Sequence, residues 1–239
     1  MDSIAVIGLA VRLPHDIESA ESFWNLLVNG HDTHGEIPKD RLNVDSFFHV
    51  NGDRDGAINT RSGHFISADP AAFDAPFFSV QPMEATAMDP QQRFTMEVTY
   101  RALENAGVSL KTLAGSNTSV YMAASVRDYE VMLNRDPEQL PKHMGTGTGT
   151  SILANRVSWF FDCRGPSVAL DTACSGSLTA LHLACQSLRD GESDMVSTGI
   201  AISFLPELTR KLGDRRWWRT DLVSRHYHVP ALHPRNSVS

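Results

Sequence analysis

The sequence predicts an α/β fold with a mainly parallel sheet, and three observations carry that prediction. Short apolar runs at residues 4–7, 118–123 and 168–170 lack polar alternation and read as strands buried on both faces. Stretches with apolar residues at i, i+3 and i+4 lie between them and read as amphipathic helices. Glycine, proline, asparagine and aspartate punctuate the joints. Alternating strands and helices argue for parallel strands joined by helical crossovers.

The elements follow in order. Residues 4–7 form a first strand that stops at Gly8. Residues 21–29 form a helix with Phe23, Trp24, Leu26 and Leu27 facing inward, and Gly30 is its C′ stop. Residues 31–70 are polar and rich in Gly, Asp and Asn, so they predict a long surface excursion with short strands, one near 63–66. Residues 73–78 hold aromatics in a proline-bounded segment. In Met88-Asp89-Pro90-Gln91-Gln92-Arg93, Asp89 is a good N-cap, Pro90 suits the first helical position and Gln92 completes a capping-box pattern. That helix runs to Ala106, with Phe94, Val98 and Ala102 along one stripe, and Gly107 ends it. Residues 118–123 are a strand, 125–142 a polar excursion and 151–161 a helix with Ile152, Leu153, Arg156, Val157 and Phe160 at helical spacing.

The chemistry concentrates in residues 168–188, VALDTACSGSLTALHLACQSL. A short strand leads into a turn carrying Cys174, and an amphipathic helix follows with Leu178, Leu181, Ala184, Cys185 and Leu188 at helical spacing. Thr172, Ala173, Ser175 and Gly176 keep the turn small enough for a ligand to approach the backbone. A helix start favours an anion, so a thiol placed there is favoured as thiolate, the nucleophilic form. An arbitrary cysteine is more often a buried structural one. The strand, small-residue turn and helix reverse that expectation for Cys174.

Asp171-Thr172-Ala173-Cys174-Ser175-Gly176-Ser177-Leu178 resembles the active-site motif of β-ketoacyl synthases, specifically the ketosynthase domain of fungal-type iterative type I highly reducing polyketide synthases. The Met88–Arg93 signature and the opening Gly8, Ala10, Arg12 and Pro14 resemble the same family. The resemblance spans residues 2–199. It implies the N-terminal half of a thiolase-like αβαβα fold, mainly parallel in its sheet and incomplete, with one sheet face left uncovered. In that family the cysteine thiolate takes an acyl chain from an acyl carrier protein thioester. A malonyl unit then loses carbon dioxide and attacks the acyl-cysteine in a decarboxylative Claisen condensation. The resemblance thus gives Cys174 as the catalytic residue and its backbone N–H as one oxyanion-hole donor. It implies no cofactor beyond phosphopantetheine-linked acyl substrates, no metal, and a homodimer when the domain is complete. The family's assisting histidines lie in the C-terminal half. No His-Gly-Thr-Gly-Thr motif follows Cys174 here, so these 239 residues alone are expected to be inactive in condensation. The alternative is a truncated, non-catalytic interaction partner of a full-length polyketide or fatty acid synthase.

Two patterns are decoys. Gly145-Thr146-Gly147-Thr148-Gly149 looks like a phosphate loop, but it lacks the third glycine of a dinucleotide fingerprint and the lysine of a P-loop. His143 precedes it and precedes Cys174, which places it wrongly for the family's catalytic histidine, so a surface or structural role is expected. His182 shares a helix with Cys174 but lies two turns on, and reads as a packed helix histidine. His15, His31, His34, His49 and His64 are scattered and show no arrangement in the linear sequence.

A net charge of −7 argues against a nucleic-acid binder. Three cysteines without metal spacing point to a reducing compartment, and the N-terminus lacks a basic, membrane-length segment, so a cytoplasmic protein with no membrane partner is expected. Residues 204–239 break the pattern, with seven Lys and Arg against three Asp and Glu. The reading is therefore residues 1–203 as the N-terminal half of the synthase domain and 204–239 as a divergent basic tail, disordered or an artefact of the gene model.

Overall fold

The computed structural model describes residues 3–200 and the backbone of 226–232. In chain order the first elements are β1 (Ala5–Val6), β2 (Ala10–Arg12), α1 (Ala20–Val28), β3 (His34–Glu36), β4 (Ser62–His64), α2 (Pro82–Ala87) and α3 (Pro90–Asn105). They are followed by α4 (Leu110–Leu113), β5 (Thr118–Ala123), α5 (Asp128–Leu133), α6 (Met144–Thr148), α7 (Thr150–Phe160) and β6 (Ser167–Leu170). The last are α8 (Gly176–Arg189), β7 (Met195–Ile200) and β8 (His226–Leu232). The principal sheet is ordered β1-β8-β7-β5-β6, with β2 also against β8.

The sheet is parallel around two of the expected strands, 118–123 and 168–170, whereas the expected first strand at 4–7 pairs antiparallel. β5 pairs in parallel with β6, Val120 opposite Ser167, and with β7, Thr118 opposite Met195. Beyond β7 the direction reverses. β8 is antiparallel to β7 and, on its other edge, to β1 and β2. β1 and β2 behave as one strand interrupted near Gly8, running from Ala5 opposite Leu232 to Arg12 opposite His226. Gly8 is obligatory there, because a Cβ would strike the Ala102 carbonyl oxygen of α3. β8 falls inside the stretch 204–239 expected to lack structure, so seven residues of that stretch are a sheet strand. Residues 201–225 and 233–239 lie outside the described residues.

β5 shows how the layers form. Its side chains alternate between faces. Val120 and Met122 join Met96 and Leu103 of α3 and Leu153 and Val157 of α7 in one core. Tyr121 and Ala123 join Ala180, Ala184 and Leu188 of α8, with Val196 and Ile200 of β7, in a second core. Helices therefore cover both faces. The expected uncovered sheet face is absent among the described residues, because α8 lies on it. Apolar surface is instead uncovered on the outer side of α8, where Leu178 is 71% exposed and Leu181 is also exposed.

That placement corrects the stripe expected for α8. Gly176, Ala180, Ala184, Ser187 and Leu188 are buried, and Leu178 and Leu181 point away. Ala184 and Leu188 of the expected stripe are buried as read, while Gly176 and Ala180 take the place of Leu178 and Leu181 because small residues let the helix approach the sheet. A Cβ on Gly176 would lie 2.8 Å from the Ala123 Cβ. His182, expected to be packed, is exposed for the same reason.

α1 needs a similar correction. Ser19 and Ser22 form a reciprocal cap, and Gly30 takes φ 61° past the C-terminus as expected. Phe23 and Leu26 pack against Val11, Leu13 and Ile17. Trp24 and Leu27 lie one step further round and are exposed, not inward. The excursion of residues 31–70 carries the β3–β4 ribbon, and that of 125–142 carries α5, which its polar composition concealed.

Candidate active site

β6 ends at Leu170, and the chain turns through Asp171 and Thr172 into a 3-10 turn, Ala173–Ser175, that runs directly into α8. Cys174 sits in that turn and is exposed. Three devices hold it there. Asp171 Oδ1 accepts the Ala173 N–H at 3.0 Å, an Asx turn. The Ser175 hydroxyl donates to the Thr172 carbonyl at 2.8 Å and contacts Thr172 Oγ1 at 3.0 Å. Thr179 Oγ1 donates to the Ser175 carbonyl at 3.1 Å and receives from Thr172 Oγ1 at 3.2 Å. Ala173 adopts φ 50°, a left-handed conformation that alanine seldom takes. Such strain persists only where the surroundings over-determine it. The small-residue signal located the turn, but the strain at Ala173 and the hydroxyl lattice were not foreseen. The Asp-Thr-Ala sequence carries the only local hint, as an Asx-turn pattern.

The other thiols differ in kind. Burial, reinforced by Asp162, pushes the Cys163 thiol up to about 12. Cys185 is half-buried on α8. His182 shares α8 with Cys174 but is exposed, and His143 is half-buried at the N-cap of α6. Among the described residues no group of three or more His, Cys, Asp or Glu side chains could enclose a metal ion.

The glycine-threonine decoy has a structural task. Its residues form α6, and Gly147 packs so tightly on the Ala87 carbonyl that no side chain fits. The Gly147 carbonyl accepts the Asp89 N–H at 2.8 Å. Gln92 Nε2 donates to the Thr146 carbonyl at 3.1 Å, and Gln92 Oε1 accepts from Arg156 Nε at 3.0 Å. Arg156 Nη1 reaches Glu84 at 2.7 Å. Arg93 donates to the Met88 carbonyl through Nε at 3.0 Å and Nη2 at 2.7 Å. Met88–Arg93 is thus a buried brace joining α2, α3, α6 and α7. Asp89 caps α3 through the Gln91 N–H at 2.8 Å and Pro90 opens it, as expected. Gln92 does not close a capping box. Its amide is drawn to Thr146 and Arg156, and Gln91 Nε2 reaches Asp89 instead, at 3.2 Å.

Two carboxyls at this brace are buried together. Burial raises Asp89 to about 6, against the hydrogen bonds from Gln91 and the charge of Arg93. Burial, and then the neighbouring Asp89, raise Asp128 to about 7. They sit at the junction of α3 and α5, not at Cys174.

A mixed sheet with a parallel β6-β5-β7 half and helices on both faces, its edge strand delivering an exposed cysteine to the 3-10 turn that opens a helix, defines an α/β protein of the thiolase-like class. The chain matches the family model for the N-terminal domain of β-ketoacyl synthase over residues 1–220, and it belongs to that family. The match passes Gly199, where the sequence reading ended the resemblance. Among curated relatives, a highly reducing polyketide synthase of Aspergillus calidoustus, ausV, is 51% identical over 196 residues, covering 82% of this chain and 8% of that protein. A second, cnsI of Penicillium expansum, is 44% identical over 231 residues, covering 96% of this chain and 10% of that protein. Among solved structures, the oxazolomycin ketosynthase domain OzmH KS7 of a Streptomyces albus strain superposes with a TM-score of 0.85 at 31% identity, covering 98% of this chain and 42% of that one. The ketosynthase from module 6 of the bacillaene synthase of Bacillus subtilis gives 0.80 at 28% identity, over 97% of this chain and 40% of that one. The chain therefore spans about a tenth of the polyketide synthases it matches and two fifths of the solved ketosynthase chains. It is the N-terminal half of a ketosynthase domain of the polyketide synthase type. No helix among the described residues is long and apolar enough to cross a membrane.

Proposed function

We propose that Cys174 is the acyl acceptor of a polyketide-synthase ketosynthase. The observation that carries this reading is the exposed thiol, held by strain and hydroxyl bonds where β6 meets α8. The Cys174 thiolate attacks the carbonyl of an acyl thioester on a carrier protein's phosphopantetheine arm. The oxyanion formed is met on one side by the Cys174 N–H. Collapse expels the carrier thiolate, which takes up a proton, and leaves acyl-Cys174. A malonyl thioester then loses carbon dioxide, and its carbanion attacks the acyl-cysteine. The new carbon–carbon bond forms as Cys174 leaves as thiolate.

Acylation needs only a reachable nucleophile. Condensation needs groups that stabilise the enolate, and the described residues supply no histidine beside Cys174 for that task. These 239 residues alone are therefore acylated but do not condense. The test is intact mass after incubation with a short acyl phosphopantetheine thioester. One acyl adduct is expected, lost in Cys174→Ala. Acylation that survives this substitution overturns the reading. Formation of β-ketoacyl product with a malonyl carrier overturns the claim of inactivity.

A second reading is favoured by a separate observation. The outer side of α8, with Leu178 and Leu181, and the edge strand β6, with Val168 exposed, are surfaces that a completed domain and its dimer would cover. The chain would then serve as a non-catalytic partner of an intact synthase. Co-purification with a full-length synthase that persists in Cys174→Ala supports this reading, and a monodisperse chain that captures none removes it.

A further inference from the structure

The hydrogen bonds around Cys174 close into a circuit, and its closing member is Thr179 in the first turn of α8. The Thr172 hydroxyl donates to Thr179 Oγ1 at 3.2 Å, and the Thr179 hydroxyl donates to the Ser175 carbonyl at 3.1 Å. The Ser175 hydroxyl donates back to the Thr172 carbonyl at 2.8 Å. Thr179 therefore ties the chain ahead of Cys174 to the chain behind it. We propose that Thr179 is a positioning residue for acyl transfer: through Thr172 and Ser175 it holds the Cys174 N–H in the direction that receives the thioester oxyanion. This rests on the reading of Cys174 as acyl acceptor and adds what orients its backbone.

The direction of that N–H follows from the turn. The Gly176 N–H bonds to the Ala173 carbonyl, which aims that carbonyl at the start of α8. Gly176 is itself fixed, buried where a Cβ would lie 2.8 Å from the Ala123 Cβ. In a trans peptide the N–H points opposite to the C=O, so the Cys174 N–H points away from the start of the helix. It meets no backbone acceptor among the described residues and is open to a substrate oxygen.

The circuit matters because the turn is strained. Ala173 holds φ 50°. Rotating the Thr172–Ala173 peptide would return Ala173 to a negative φ and would swing the Thr172 carbonyl with it. That carbonyl is held by the Ser175 hydroxyl and by the Ser175 N–H at 3.3 Å. Ser175 is exposed, so water competes for its bonds, whereas Thr179 is half-buried. A helical threonine that bonds the carbonyl four residues back is ordinary and by itself says little. The bond from Thr172, across Cys174, is the one the helix does not require.

Two reactions of the same sulfur separate orientation from reach. In acylation the sulfur bonds to the thioester carbonyl carbon and the carbonyl electron pair moves onto oxygen, where the N–H meets it. Collapse then expels the phosphopantetheine thiolate, which takes up a proton. Alkylation by iodoacetamide forms a sulfur–carbon bond as iodide leaves, and no oxyanion arises.

The experiment measures both rates on the full 239-residue chain at one pH, by mass of the Cys174 peptide. Acylation uses a short acyl phosphopantetheine thioester. Thr179→Val keeps the side-chain shape and removes the hydroxyl, and is expected to slow acylation about tenfold while alkylation stays within about twofold. Thr179→Ser keeps the hydroxyl and is expected to bring acylation back to within about threefold of the parent. Ser175→Ala breaks the circuit at its other end, carries the same expectation as Thr179→Val, and decides the matter if circular dichroism shows Thr179→Val unfolded. Acylation at the parent rate or faster in the folded variant overturns the proposal and leaves Cys174 as acceptor. Equal slowing of both reactions also overturns it, because that marks a residue that only supports the fold. Acylation absent from the parent, or surviving in Cys174→Ala, removes the acceptor reading and this proposal with it.

Discussion

The turn at Cys174 and the brace at Met88–Arg93 are the two strongest motifs of the sequence, and the structure puts them to opposite uses. At the brace, Asp89, Gln91, Gln92 and Arg93 are all buried, and each makes side-chain hydrogen bonds to neighbouring backbone or side chains. At the turn, Asp171, Thr172, Cys174 and Ser175 are exposed, and the hydroxyl bonds among them stay local. Polar residues confined to one buried network serve the fold. Polar residues that hold a strained turn open to solvent leave its side chains reachable from solution. A motif's specificity therefore marks a family without saying which of its residues react.

The largest effect that would separate the two regions is loss of function without loss of stability. Cys174→Ala is expected to abolish acylation and leave the thermal midpoint within about 2 °C of the parent, because the side chain is exposed. A collapse in stability on that substitution would erase the contrast. The converse is Gly147→Ala. Its Cβ has no room against the Ala87 carbonyl, so a loss on the order of 3 kcal/mol is expected in denaturant unfolding. Arg156→Ala leaves Glu84 without its partner and removes the hydrogen bond to Gln92 Oε1, for a loss of about 3 kcal/mol by the same measurement.

A smaller effect tests the carboxyl pair. Asp89 and Asp128 hold protons more tightly folded than unfolded, with values raised from 3.8 to about 6 and about 7. The folded state thus binds more protons across that window, and these groups' contribution to stability falls as pH rises from about 4 to about 7. Asp128→Asn is expected to flatten that fall in a series of melting curves and to melt above the parent near pH 8. A variant that melts lower at that pH would show that the charged form of Asp128 is the stabilising one.

Local physics was legible and distant partnership was not. The strand Thr118–Ala123 was read correctly because its apolar run needs no partner to identify it. Gly30 and Gly107 were read as helix stops, and both take positive φ. The Cys174 turn was read from its small residues. What failed depended on contacts across the chain. Leu178 and Leu181 satisfied helical periodicity with Ala184 and Leu188, but the sheet took Gly176 and Ala180 beside that pair because small residues allow close approach. Gln92 matched a capping box, but Arg156, far along the chain, claimed its amide. His34 and His64 carried no sequence signal because strand register alone pairs them.

The pairing of β1 with β8 bears on how the chain matures during synthesis. The first strand finds its partner near the other end of the chain, at Ala231 and Leu232. At the usual pace of translation, of roughly 5 to 20 residues per second, β1 waits tens of seconds before that partner exists. Through that interval α3, α7 and the strands β5, β6 and β7 can assemble around their own cores, because their contacts lie closer in sequence. Closing the sheet at β8 is then a late step with high contact order, and it sets the slowest phase of folding.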